Sequence, residues 1–229
     1  MSRSQLLKDL VGGKTSIESI LMRLKIIMND LNNDVIINWI NGEFEGYNEK
    51  SEIPSYRVLK GVPTGTFMVN QSFTYKNSPV PLESLITKDQ IDKISTVHIR
   101  DGIASIESIL SGENRENFAK QVPTAFCHSI SNIDLQIAGM IVKISSNQIE
   151  GIVSQVKSKL ADIIMELEKT FDNLDELDIR PQLNDDVEKK EQVIYNIEKI
   201  IYGDSIEVGD KNKINKSRFG NFFGGKSNG

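Results

Sequence analysis

The residues able to do chemistry are few and poorly grouped. Gly12-Gly13-Lys14-Thr15 has the ending of a phosphate-binding loop, in which backbone amides and a lysine hold phosphate oxygens. That motif needs a glycine five residues before Gly13, where Lys8 stands, and a strand ahead of the loop; the pattern here is that of a helix cap. His98 follows Ile94 by four residues, which puts it on the apolar side of a helix as a half-buried, hydrogen-bonded histidine. A general base there would need a partner, and Asp101 is within helical reach. Cys127 and His128 are adjacent, but neighbours on a helix point in different directions, so Cys127 reads as a small core residue. One cysteine and two histidines cannot assemble a zinc ligand set.

The carboxylates are no better organised. Asp172, Asp175, Glu176 and Asp178 read as a solvating run, with a divalent-cation site as the alternative. Asp210-Lys211-Asn212-Lys213-Ile214 opens like a calcium loop, yet Ile214 occupies a ligand position and the terminal glutamate is missing. Asn70-Gln71-Ser72 is a glycosylation sequon that stays silent without a secretory route. No residue is therefore assigned a catalytic, cofactor-binding or metal-ligating role, and no cofactor is expected.

The elements that would position any site are clearer. The longest helical pattern runs from Ser146 to Phe171, where Ile149, Ile152, Val153, Val156, Leu160, Ile163, Ile164, Leu167 and Phe171 recur in steps of three and four. Ser145 and Gln148 form a capping box at its start. Upstream, a short helix covers Ser4–Leu10, a second opens at a Thr15-x-x-Glu18 box and runs to about Leu31, and a third spans Asp34–Phe44 before Gly46. Tyr56–Gly61 and Thr66–Tyr75 alternate and are β-rich, which predicts a hairpin with a loose turn at Gly61, Pro63 and Gly65. A box at Thr87-x-x-Gln90 opens a helix to about Leu110, with a break at Gly102 as the weak point. Pro123 starts a short helix, and Leu135–Ile144 is a strand able to pair with the hairpin. The expected fold class is α+β, mainly helical with a small antiparallel sheet.

Composition bounds the partners. A net charge of −5 over 229 residues gives no global reason to bind nucleic acid. Cys127 is the lone cysteine, so no internal disulfide forms and a reducing, cytoplasmic setting is expected. The N-terminal stretch lacks the apolar core of a signal peptide, and no run approaches the ~18 apolar residues of a membrane span.

After Phe171 the character changes. Positions 172–191 hold eight acidic and three basic residues around Pro181, an acidic linker that resumes as helix near Asp185–Lys199. From residue 200, Gly203-Asp204 recurs as Gly209-Asp210, and positions 211–229 carry five basic residues and no acidic ones. The recurrence suits stacked β-arcs that gain most by packing on other copies; the competing reading is a disordered basic tail. The expected division is a folded α+β domain over 1–172, an acidic linker with a short helix over 173–199, and a Gly-Asp rich tail over 200–229.

Five stretches, in this order, are similar to the AbiTii domain family of bacterial abortive-infection proteins: Leu6–Asp34, Ile37–Tyr47, Ile53–Gly61, Val80–Leu85 and Gln148–Glu168. Members of that family often end in a Tyr-Gly and Gly-Asp rich tail, which Ile201–Ser217 resembles. The resemblance implies a part in defence against phage and supplies no catalytic residues. The expectation is a non-enzymatic defence protein whose folded domain binds a phage protein or a defence-system partner and whose tail makes it a homo-oligomer. Nucleic acid or membrane contact is expected only through the basic tail, at Lys211, Lys213, Lys216 and Arg218 with Phe219, Phe222 and Phe223 beside them. The alternatives are a toxin enzyme (a nuclease or nucleotide-consuming activity) and a membrane-acting effector.

Overall fold

The computed structural model describes residues 3–113, 115–183 and 186–203. In chain order the helices and strands are α1 (Gln5–Gly12), α2 (Ile17–Asn29), α3 (Asp34–Glu45), β1 (Val58–Lys60), β2 (Val62–Val69), β3 (Phe73–Pro79), α4 (Lys88–Ser95) and β4 (Thr96–His98). They continue with α5 (Ile103–Ser111), β5 (Ala119–Val122), α6 (Thr124–Ile130), β6 (Leu135–Lys143), α7 (Ser146–Thr170), α8 (Arg180–Leu183) and α9 (Val187–Tyr202). The fold is α+β.

The long helix α7 is the spine. Its Ser145/Gln148 capping box forms, and all nine apolar residues of the expected stripe are buried. Helices α1, α5 and α9 pack against it, and α9 reaches across to α3. The stretch expected as a solvated linker is anchored: Leu174 and Ile179 are buried, and Asp175 accepts a hydrogen bond from the Gln5 backbone at 2.8 Å. Its acids remain at the surface around those two apolar pins. Helix α9 then buries Val193, Ile197 and Ile201. The expected β-arc recurrence and the basic, aromatic end, from Asp204 onward, lie outside the described residues, as does Asp185.

An antiparallel sheet of order β3-β2-β6-β5 covers one end of the body, and β1 pairs separately with β4. In β6 the buried residues change parity, from Leu135 and Ile137 to Met140 and Val142. The register slips there, with Phe67 opposite Ile137 and Thr66 opposite Gly139. The extra residue, Ala138, is a bulge that lets both halves of the strand face one core.

Three expectations are corrected. The hairpin turn is at Asn70-Gln71-Ser72, not at Gly61–Gly65; Asn70 and Gln71 take φ of 49° and 54°, and Ser72 N bonds Val69 O. Gly65 instead permits close strand approach, because a Cβ there would sit 2.2 Å from Gly139 O. The helix expected from Thr87 to Leu110 ends at Ser95: the Thr96 hydroxyl bonds back to Asp92 O at 2.6 Å, and Thr96–His98 pairs with β1. At the start of α2 the cap is Ser16, whose hydroxyl accepts from Ser19 N, rather than Thr15. Strand β5 carried too short a pattern to be read from sequence.

Candidate functional site

Helix α3 buries Ile36, Trp39, Ile40 and then Glu43, so its apolar stripe ends in a carboxylate. A buried carboxylate needs a partner. Arg57, in the 3-10 turn Ser55–Arg57 leading into β1, supplies it. Its Nε donates to Glu43 Oε1 at 3.0 Å and its Nη2 to Oε2 at 2.6 Å, with both side chains fully buried. Glu43 Oε1 also accepts from the Tyr47 and Tyr56 hydroxyls at 2.9 and 2.7 Å, and Trp39 Nε1 donates to the Tyr56 oxygen at 2.9 Å. The remaining Arg57 nitrogen, Nη1, donates to Ile99 O at 3.1 Å and Asp101 O at 2.8 Å. The guanidinium also lies 5.1 Å from the Tyr47 ring centroid.

Two glycines make this clamp fit. A Cβ at Gly42 would fall 2.2 Å from the Tyr47 ring. Gly46 ends α3 at φ 100° with Arg100 O 2.7 Å from where its Cβ would be, and Tyr47 N bonds that same carbonyl.

The electrostatics fix the protonation states. Burial, the Glu43 charge and the Glu43 bond all push the Tyr56 hydroxyl far above its ordinary range, and Tyr47 likewise, so both are neutral donors. Burial works against the Arg57 charge, but the hydrogen bonds and charge of Glu43 outweigh it and hold the guanidinium above its usual value. Burial lowers the Lys159 ammonium. Its Nζ donates to Ile200 O at 2.6 Å and lies 5.6 Å from the Tyr56 ring, tying α9 to the clamp. The Glu43–Arg57 pair at its centre is sealed from solvent, with Tyr47 and Tyr56 half-buried around it, and the clamp locks α3 to β1 and to the loop after β4.

Among the described residues, two surface features bear on recognition. A groove of about 400 Å³ runs between β4 and β5, with Val97, Ile99 and Ile144 as its apolar floor and His98, Asp101 and Lys120 at its rim. Lys120 Nζ crosses it to bond Thr96 O at 3.2 Å. The second surface is the outermost strand β3, where Phe73 is 64% and Tyr75 is 47% exposed. Tyr75 stacks on the buried Phe67 ring at 5.1 Å, which ties the edge strand to β2 through its side chains.

The residues weighed from sequence fall as follows. His98 is exposed on a strand, not half-buried on a helix, and it shares the groove with Asp101. Cys127 is fully buried on α6, where burial raises its thiol, while His128 is exposed. Gly13 caps α1 at φ 64°, and Lys14 lines a hollow of about 160 Å³ with Lys157 and Glu107, themselves paired at 4.0 Å; no strand precedes the loop. Asp178 pairs with Arg180 at 2.8 Å. Among the described residues, no three His, Cys, Asp or Glu side chains converge to hold a metal ion, and no helix is long and apolar enough to cross a membrane. Sequence reasoning missed Glu43 and Arg57. The available signal was Glu43 itself, spaced three and four residues after Ile40 and Trp39 on a buried stripe.

The stretches of similarity noted from sequence converge here: Ile37–Tyr47 carries Trp39, Gly42, Glu43, Gly46 and Tyr47, and Ile53–Gly61 carries Tyr56 and Arg57. No curated protein and no solved structure matches the chain significantly. The AbiTii family model matches residues 4–193, a span that takes in the clamp, the sheet, all of α7 and α8 and the first seven residues of α9. The chain belongs to the AbiTii family, an abortive-infection family, and its role is accordingly anti-phage.

Proposed function

We propose that this chain carries out abortive infection by binding rather than by turnover. Its folded body engages a phage component or a defence-system partner, and its C-terminal tail brings copies together. The observation that carries the reading is the aromatic edge of β3, where Phe73 and Tyr75 are exposed on a hairpin braced by the Tyr75–Phe67 stack. Exposed aromatics on a stiff support are the usual anchors of protein recognition, because little side-chain entropy is lost on binding. The same body holds one fully buried ion pair among the described residues, Glu43–Arg57, a structural use of charge that leaves recognition to the surface.

The test is direct. Purified full-length protein is incubated with RNA, DNA, NAD and ATP, with and without magnesium. Unchanged substrates are expected; turnover of any one would replace binding with a toxin-enzyme mechanism. The assembly half is tested by light scattering on the full chain beside a form ending at Gly203. The chain is cut there because α9 runs to Tyr202 and buries Ile201. A lower subunit number in the shortened form supports the reading, and equal numbers remove it.

A further inference from the structure

The groove between β4 and β5 is bounded by two strand edges. Gly61 N bonds Ser95 O and Ile99 N bonds Arg57 O, so the backbone groups of Thr96 and His98 point away from β1; Thr96 N is taken up by Asp92 O, which leaves His98 as the open position of this edge. Ile144 N bonds Phe118 O, which by the same alternation turns the backbone of Ala119 and Gln121 away from β6. Each strand is the edge of its own sheet. Between them lie the apolar floor and a single crossing side chain, Lys120, that occupies the Thr96 carbonyl. Paired edges of this kind recognise an extended segment through its main chain and its alternate side chains.

We propose that the occupant is Ser205–Val208 from the tail of a second copy, a proposal that rests on the reading that the tail brings copies together. The segment Ser205-Ile206-Glu207-Val208 alternates polar and apolar between Gly203 and Gly209, which puts Ile206 and Val208 on one face, toward the floor. Residues 211–229 hold five of the 27 basic residues and none of the 32 acidic ones; at the groove's rim Lys120 is tied to Thr96 O, and the far end carries exposed Asp101 close to exposed Glu45. The lead from the chain's own α9 is short. Asn196 bonds Glu166 and Ile200 bonds Lys159, so α9 runs antiparallel to α7. At 1.5 Å per residue, Gly203 stops about 15 Å before the start of α7, with the groove further on. Ile206 follows Gly203 by three residues, about 11 Å at full extension. The tail of another copy has no such limit.

Full-length Ala119→Cys and Val208→Cys chains are mixed in a glutathione redox buffer and resolved without reductant; the natural Cys127 is fully buried. A disulfide-linked pair is expected at least tenfold above a mixture of Val208→Cys with Val11→Cys, an exposed control site on α1. Adding Ile206→Asp to the Val208→Cys chain should return the yield to that control. A yield equal to the control overturns the proposal, as does cross-linking only within one chain of an Ala119→Cys/Val208→Cys double variant. Light scattering separates the two claims. A full chain that is oligomeric without the cross-link keeps tail assembly and removes the groove; a full chain that is monomeric removes both.

Discussion

Glu43 and Arg57 meet in a two-point ion pair of 2.6 and 3.0 Å with neither side chain exposed, and they come from segments fourteen residues apart. Two tyrosine hydroxyls donate to Glu43 Oε1, and Arg57 Nη1 donates to two backbone carbonyls. Removing one partner strands the other's charge in a dry interior. Arg57→Ala and Glu43→Ala should each cost about 3–5 kcal/mol. Replacing the two together with apolar residues should cost clearly less than the sum. Urea unfolding of the three variants checks this; additive losses would mean that the pair is not coupled.

Two helical glycines should respond in opposite directions to alanine. Gly42→Ala drives a methyl group into the Tyr47 ring and should destabilise by about 1–3 kcal/mol despite the better helix propensity. Gly151→Ala, on α7 with nothing within 4 Å, should stabilise by about 0.4–1 kcal/mol. Thermal midpoints of the pair decide it.

The hairpin turn carries removable strain. Gln71 sits at φ 54° with no glycine to ease it. Gln71→Gly creates the Asn-Gly pair favoured by such turns and should raise stability by about 0.5–1 kcal/mol, net of the extra freedom of the unfolded chain. A lower unfolding midpoint would contradict the turn assignment.

Acid should loosen the attachment of the N-terminus. Burial pushes the Glu168 carboxyl up, but bonds from Arg3 and from Ser4 N, the latter at 2.7 Å, bring it below its ordinary value. A depressed carboxyl contributes stability that is complete above its unfolded pKa of about 4.3 and is lost as pH falls through the lower folded value. Asp178, held to about 2 by Arg180, behaves in the same sense at still lower pH. Thermal melts from pH 6 to pH 3 should therefore fall more steeply for the natural protein than for Glu168→Gln. Parallel curves would remove Glu168 from the acid response.

What the sequence disclosed and what it hid divide along physical lines. The stripe on α7 was legible because nine residues obey one period, and the boxes at Thr87 and Ser145 were legible because capping is local chemistry. Strand β4 was hidden because three residues carry no period, and their strand state depends on β1, some forty positions away in the chain. Gly61 and Gly65 read as turn punctuation, yet their lack of side chain serves contact with β6. The clamp was hidden for the same reason: Arg57 is unremarkable until the fold brings it beside Glu43.

The proposed mode of defence, binding through the aromatic edge of β3, makes Phe73 and Tyr75 the residues on which protection depends. Phage plating on cells carrying the natural chain or Phe73→Ser/Tyr75→Ser, matched for abundance and thermal midpoint, tests it most directly. The natural chain should lower plating efficiency with collapse of heavily infected cultures, and the double variant should restore plating at least tenfold. Full protection by the double variant would contradict it.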